Sequence, residues 1–173
     1  MPVQARNVIV LKINNLDVIE AARVSNLKYQ FIGDTFLTGR SLYERYTASL
    51  IGDIAKLTVK RYLLNKGFVV TDWDDYGQRP NWKTSRKPFD LMINRHKIEV
   101  RSSISQHDNI RTLLNNEHII HPPRVRFKEI NLQVFFKDKT CNELWLCGWA
   151  KGSTIKRQRY FTVRNVGGRS IPF

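Results

Sequence analysis

A chain of 173 residues, 42% apolar and 11% aromatic, is long enough for one hydrophobic core and too apolar to stay disordered. Its 29 Lys and Arg against 15 Asp and Glu leave a formal charge of +14, a self-repulsion that a polyanionic partner relieves as its phosphates release counterions. Apolar runs such as Val8-Ile9-Val10-Leu11 fall far short of a membrane span, the first residues carry no apolar leader, and Cys141 and Cys147 have neither disulfide-framework nor zinc spacing. A reduced, cytoplasmic protein is expected.

Asn7 to Ile13 reads as a strand and Asp17 to Val24 as a short helix. The stretch 25–40 follows neither period, with Gly33 and Gly39 as turn points. Ser41, with Glu44 three residues on, forms a capping box for a helix running to Lys66, closed by Gly67. Gly52 inside that helix either costs propensity or marks a close approach. Phe68 to Val70 begins a strand, and the acidic patch Asp72, Asp74 and Asp75 after it reads as a solvated turn or as a second metal site. Beyond a polar loop, Phe89 to Ile93 is a strand, 94–96 a turn, and Lys97 to Ser103 the returning strand. Ser105 or Asp108 caps a short helix through Glu117; His121-Pro122-Pro123 breaks the chain. Asn131 to Phe136 and Glu143 to Trp149 are two further strands before a basic tail. Helix, three strands, helix and strands make an α/β or α+β layered fold.

Alternation on the strand 97–103 sends Ile98 and Val100 to one face and Lys97, Glu99 and Arg101 to the other. The charged face is either solvated or lines a cleft. In a cleft, Asp90, brought alongside by the 94–96 turn, and Glu99 make an oxygen site for Mg²⁺, which binds through one or two carboxylates and keeps its waters. Such an ion polarises a phosphate and acidifies a bound water.

Pro88-Phe89-Asp90, eight residues, then Glu99-Val100-Arg101 resembles the signature of the PD-(D/E)XK, or restriction-endonuclease-like, nucleases. The resemblance spans roughly 41–149 in element order. It implies an αβββαβ core with a central mixed sheet flanked by helices, Mg²⁺ (or Mn²⁺) as cofactor, and hydrolysis of phosphodiester bonds in double-stranded DNA. It also implies Asp90, Glu99 and Val100 as the metal site, with Arg101 and Lys97 supporting the attacking water and phosphate. Two positions depart from the pattern. Arg101 stands where the family has Lys and cannot act as a general base, and Phe89 separates the proline from the first acid.

The family often adds an acid from the first helix. Glu44 and Asp53 are the candidates, and nine residues at about 100° each put them on opposite sides. Asp53, at the edge of the Tyr46, Leu50, Leu57 and Leu64 stripe, is expected to aim at the sheet. The alternative for Asp53 is a surface acid paired with Lys56 or Lys60. His118 and His121 lack a third ligand nearby, and no phosphate loop, dinucleotide fingerprint or nucleophile elbow appears, so no organic cofactor is expected.

Cations interleaved with aromatics mark two DNA-contact candidates: Arg79, Trp82, Lys83, Arg86 and Lys87 in the loop before Asp90, and Lys156, Arg157 and Arg159 in the tail. No linker or repeat divides the chain. One nuclease domain over 1–173 is expected, with an N-terminal extension over 1–40, the catalytic core over 41–149 and a basic segment over 150–173. Cutting both strands of a duplex calls for two sites and hence a homodimer. Three alternatives remain open: a catalytically inactive DNA- or RNA-binding relative, a repair or junction-resolving nuclease, and a basic scaffold protein.

Overall fold

The computed structural model describes residues 3–28, 39–75, 89–116, 118–121, 128–157, 160–163 and 166–172. In chain order the elements are β1 (Ile9–Lys12), α1 (Asn15–Lys28), α2 (Leu42–Asn65), β2 (Val70–Asp72), β3 (Leu91–Ile93), β4 (His96–Ile104), α3 (Ile110–Asn116), β5 (His118–His121), β6 (Ile130–Phe136), β7 (Glu143–Lys151), α4 (Gly152–Lys156), β8 (Tyr160–Val163) and β9 (Val166–Pro172).

Helix α2 forms where the sequence placed it. The Ser41 hydroxyl accepts the Glu44 N–H at 3.2 Å, and the Glu44 carboxylate accepts the Ser41 N–H at 2.7 Å. At the far end Gly67, at φ 84°, donates to the Leu64 carbonyl while the Phe68 N–H reaches Leu63, a Schellman turn that needs a left-handed residue. A Cβ built on Gly52 meets nothing within 4 Å, so that glycine serves no close approach.

Six strands make a mixed sheet in the order β1-β7-β6-β4-β3-β2; a second sheet runs β5-β9-β8. The pairs β2–β3 and β3–β4 are antiparallel, whereas β4 and β6 run parallel, from Ile98↔Ile130 to Ile104↔Phe136. A parallel neighbour requires a crossover connection, and α3 lies in it. The β3–β4 turn holds Asn94 and Arg95 at φ 47° and 69°, the two left-handed residues that a tight hairpin with right-handed twist demands.

Each face of the large sheet carries its own core. On one, Ala21 of α1 and Ile54, Ala55 and Val59 of α2 pack on Leu91, Ile98, Val100, Val134, Phe136 and Leu144. On the other, Leu113 and Leu114 of α3 pack on Phe135, Trp145 and Cys147. Among the described residues, no helix is long and apolar enough to cross a membrane.

Several boundaries differ from expectation. Helix α1 is longer than 17–24, because the Asn14 side chain accepts the Leu16 N–H at 2.9 Å and starts it earlier. Strand β2 begins at Val70 and includes Asp72, since the Schellman turn engages Phe68 and β3 pairs only from Val70↔Ile93. Asn109, rather than Ser105 or Asp108, caps α3, accepting the Thr112 N–H at 2.8 Å. The small second sheet and α4 were not expected: β5 follows α3, where a helix through Glu117 and then a break were expected, and α4, β8 and β9 lie in a tail that offered no alternation to read.

Candidate active site

Asp90 sits at a bend one residue before β3. Its N–H donates to the Ile98 carbonyl of β4 at 2.9 Å, and its carbonyl accepts the Trp73 N–H at 3.2 Å, so its backbone ties both neighbouring strands together. Ring contact between Trp73 and Phe89, edge to face at 5.3 Å, brackets the bend. The ladder between β3 and β4 ends at Leu91↔Ile98. Val100 is therefore the first residue whose N–H faces that side with no strand opposite, and Asp90 Oδ2 accepts it at 2.8 Å. In an extended strand the carbonyl of a residue leaves on the same side as its N–H. The Val100 carbonyl thus faces the side on which the Asp90 carboxylate lies.

Glu99 and Arg101 point to the face opposite Ile98 and Val100. Their side chains are about four-fifths buried, with Arg101 Nη2 2.9 Å from Glu99 Oε1. Arg101 Nε is buried and has no hydrogen-bond partner among the described residues. An orphaned guanidinium N–H is costly to leave unmade, and a phosphate oxygen is the acceptor that it suits. Lys97 lies on the same strand, two residues before Glu99, and is exposed.

Two residues that the sequence reading passed over complete this face. Parallel register sets Asn131 beside Glu99 and Gln133 beside Arg101, and both are buried. The Asn131 amide donates to the Lys128 and Ala150 carbonyls at 3.1 and 3.4 Å. Gln133 donates to the Val134 carbonyl at 3.2 Å, where a bulge interrupts the pairing with β7. Their signal was present: two amides at period two in an otherwise apolar strand, Ile130-Asn131-Leu132-Gln133-Val134.

No family model matches this chain, and no curated protein matches it.

Asp53 is buried, not the surface acid paired with Lys56 or Lys60 that was the alternative, and it is held by α1: the Ser25 hydroxyl donates to it at 2.8 Å and Lys28 at 3.0 and 3.1 Å. Lys28 also reaches Asp74 at 3.2 Å, while the buried Lys56 pairs with Asp72 at 2.8 Å and with Asp74. Lys60 stands 3.5 Å from Asp72. Asp72 and Asp74 do not form a solvated turn. They are buried partners of lysines, because β2 starts two residues late and so brings Asp72 under α2. Glu44 is occupied in the capping box.

Lys156 and Arg157 are exposed at the end of α4, and His118 and His121 fall on β5. Asp75's side chain and residues Arg79, Trp82, Lys83, Arg86, Lys87 and Arg159 lie outside the described residues.

Among the described residues, no three His, Cys, Asp or Glu side chains gather to hold a metal; the oxygen groups that the sequence pattern singled out are the Asp90 and Glu99 carboxylates and the Val100 carbonyl, of the kind that hard ions bind.

Proposed function

We propose that the chain is a metal-dependent DNA endonuclease of the restriction-endonuclease-like type. The observation that carries this reading is the junction at Val100, whose N–H is held by Asp90 while its neighbours Glu99 and Arg101 share one face. The element order supports it. With β5 set aside, since it pairs in the second sheet, helix α2, antiparallel β2, β3 and β4, then α3 and a β6 parallel to β4 are compatible with the αβββαβ order that the motif implies. Bound between Asp90, Glu99 and the Val100 carbonyl, Mg²⁺ would polarise the scissile phosphate and acidify a water.

The chain's own residues do the rest. Arg101 offers its guanidinium to a non-bridging phosphate oxygen and places positive charge where negative charge grows in the transition state. It stays protonated at any working pH, so it holds the attacking water without taking its proton. Lys97, on the same face, is the second cation that we assign to the attacking water and phosphate. The +14 charge draws the duplex in, with Lys156 and Arg157 as contacts to its backbone. A sequence-specific enzyme of the restriction or homing kind, acting as a dimer on double-stranded DNA, is the role we favour over repair or junction resolution.

A second reading, a DNA-binding relative without catalysis, is favoured by one observation: Glu99 is already neutralised by Arg101 at 2.9 Å. Incubation with supercoiled plasmids of varied sequence, with Mg²⁺ or with EDTA, separates the two. Metal-dependent nicking that Glu99→Ala removes while DNA retention persists supports the enzyme. Retention without nicking in any plasmid supports the binding protein.

A further inference from the structure

Helix α1 buries one face, through Ala21, Val24 and Ser25, and on the other exposes Leu16, Ile19 and Leu27 among Glu20, Arg23 and Asn26. Leu16 is 70% exposed, Ile19 65% and Leu27 41%, an unusual cost for a helix side that could have carried charges. Leu16, Glu20, Arg23 and Leu27 follow one another at spacings of four, three and four, so they form a single stripe, with Ile19 beside it. Glu20 is half-buried, Arg23 is exposed, and the two form an ion pair at 2.6 Å.

The stripe is symmetric in a particular way. Leu16 is the second residue of α1 and Leu27 the second from its end; Glu20 is the sixth and Arg23 the sixth from the end. Laid antiparallel on a copy of itself, the helix sets Leu16 against the partner's Leu27, and Glu20 against the partner's Arg23, on both sides of one two-fold axis. Self-complementarity of this kind is what an isologous contact requires. A partner of different sequence would have no need of it.

We infer that the exposed face of α1 is a homodimer seam, occupied by α1 of a second copy in antiparallel orientation. Two leucine rungs about 16 Å apart, from a rise of about 1.5 Å per residue, flank a central pair of reciprocal Glu20–Arg23 contacts. One helix face is smaller than the ~800 Å² per partner of a standard interface, so the dissociation constant is expected in the micromolar range. Moderate salt favours the dimer by screening the +14 charge of each chain.

Sedimentation equilibrium of the full chain without DNA or metal tests the seam independently of any nuclease activity. A monomer–dimer equilibrium is expected. Glu20→Arg alone and Arg23→Glu alone each set like charges across the axis and should weaken association by about tenfold or more, with circular dichroism unchanged. Mixed in equal amounts, the two variants should pair again, since one brings two cations to the seam and the other two carboxylates. A wild-type chain that stays monomeric, a dimer indifferent to either charge reversal, or variants that do not re-associate on mixing would each overturn the assignment.

Discussion

The Asp90 carboxylate accepts the Val100 backbone N–H at 2.8 Å, so one of the two candidate metal ligands also finishes the strand that carries the other. Asp90→Ala should therefore do two things. It should abolish nicking and leave a strand N–H unpaired, at about 1–3 kcal/mol of stability. Asp90→Asn keeps an acceptor oxygen without the charge and should lose activity with little loss of stability. Urea titrations and plasmid nicking of the pair check this; an Asn variant that cuts at the wild-type rate would remove Asp90 from the metal site.

Arg101 carries the second prediction. Arg101→Met removes the guanidinium while keeping much of the volume, and cutting should fall on the order of 10²–10³-fold, as when a preorganised transition-state donor is lost. Single-turnover nicking rates measure it. A variant that cuts normally would leave Arg101 as no more than the counter-ion of Glu99.

Lys56 offers a contrast of environments. Lys56→Met leaves Asp72 to Lys60 and Asp74 to Lys28 and should cost at most about 3–5 kcal/mol. Lys12 pairs with Glu143 at 2.8 Å with its own side chain 80% exposed, and Lys12→Met should cost under about 1 kcal/mol. Equal losses in denaturant unfolding would mean that the cluster around Lys56 is solvated.

Gly52 stands in mid-helix with open space where a Cβ would go. Gly52→Ala should raise stability by up to about 1 kcal/mol, read as a shift of the urea midpoint at constant slope. No gain would point to a strained site that the open space does not reveal.

Burial pushes the Cys147 thiol up to about 12, and burial with Asp138 nearby raises that of Cys141. A raised folded value means a contribution to stability that is complete below the unfolded thiol range, about 8.5, and is lost as pH climbs through the folded value near 12. Cys147 should resist a thiol reagent at neutral pH until the chain unfolds. Rapid modification of both thiols in native buffer would contradict its burial.

How far the sequence carried the fold differs from element to element. Helix α2 was readable because its signals are local: Ser41 with Glu44 at one end, Gly67 at the other. The β3–β4 hairpin was readable from alternation, and with it the split of Ile98 and Val100 from Glu99 and Arg101. Partners far along the chain were not. Nothing near Asp53 announces that Ser25 and Lys28 will hold it, and nothing near Asp72 names Lys56. The two amides of β6 mattered only once parallel register set them beside β4. Local patterns give elements and faces; which face meets which is decided by tertiary packing.

Among the described residues, strand β1 forms one rim of the large sheet, paired with β7 from Ile9↔Leu146 to Lys12↔Glu143. Anyone shortening the chain for expression would find residues 1–12 an obvious trim, and the result would be a hazard. Without β1 the Glu143–Leu146 stretch of β7, with its buried Leu144 and Trp145, becomes a naked ladder of donors and acceptors. Such an edge recruits strands from other molecules. The expected product of that truncation is an aggregate.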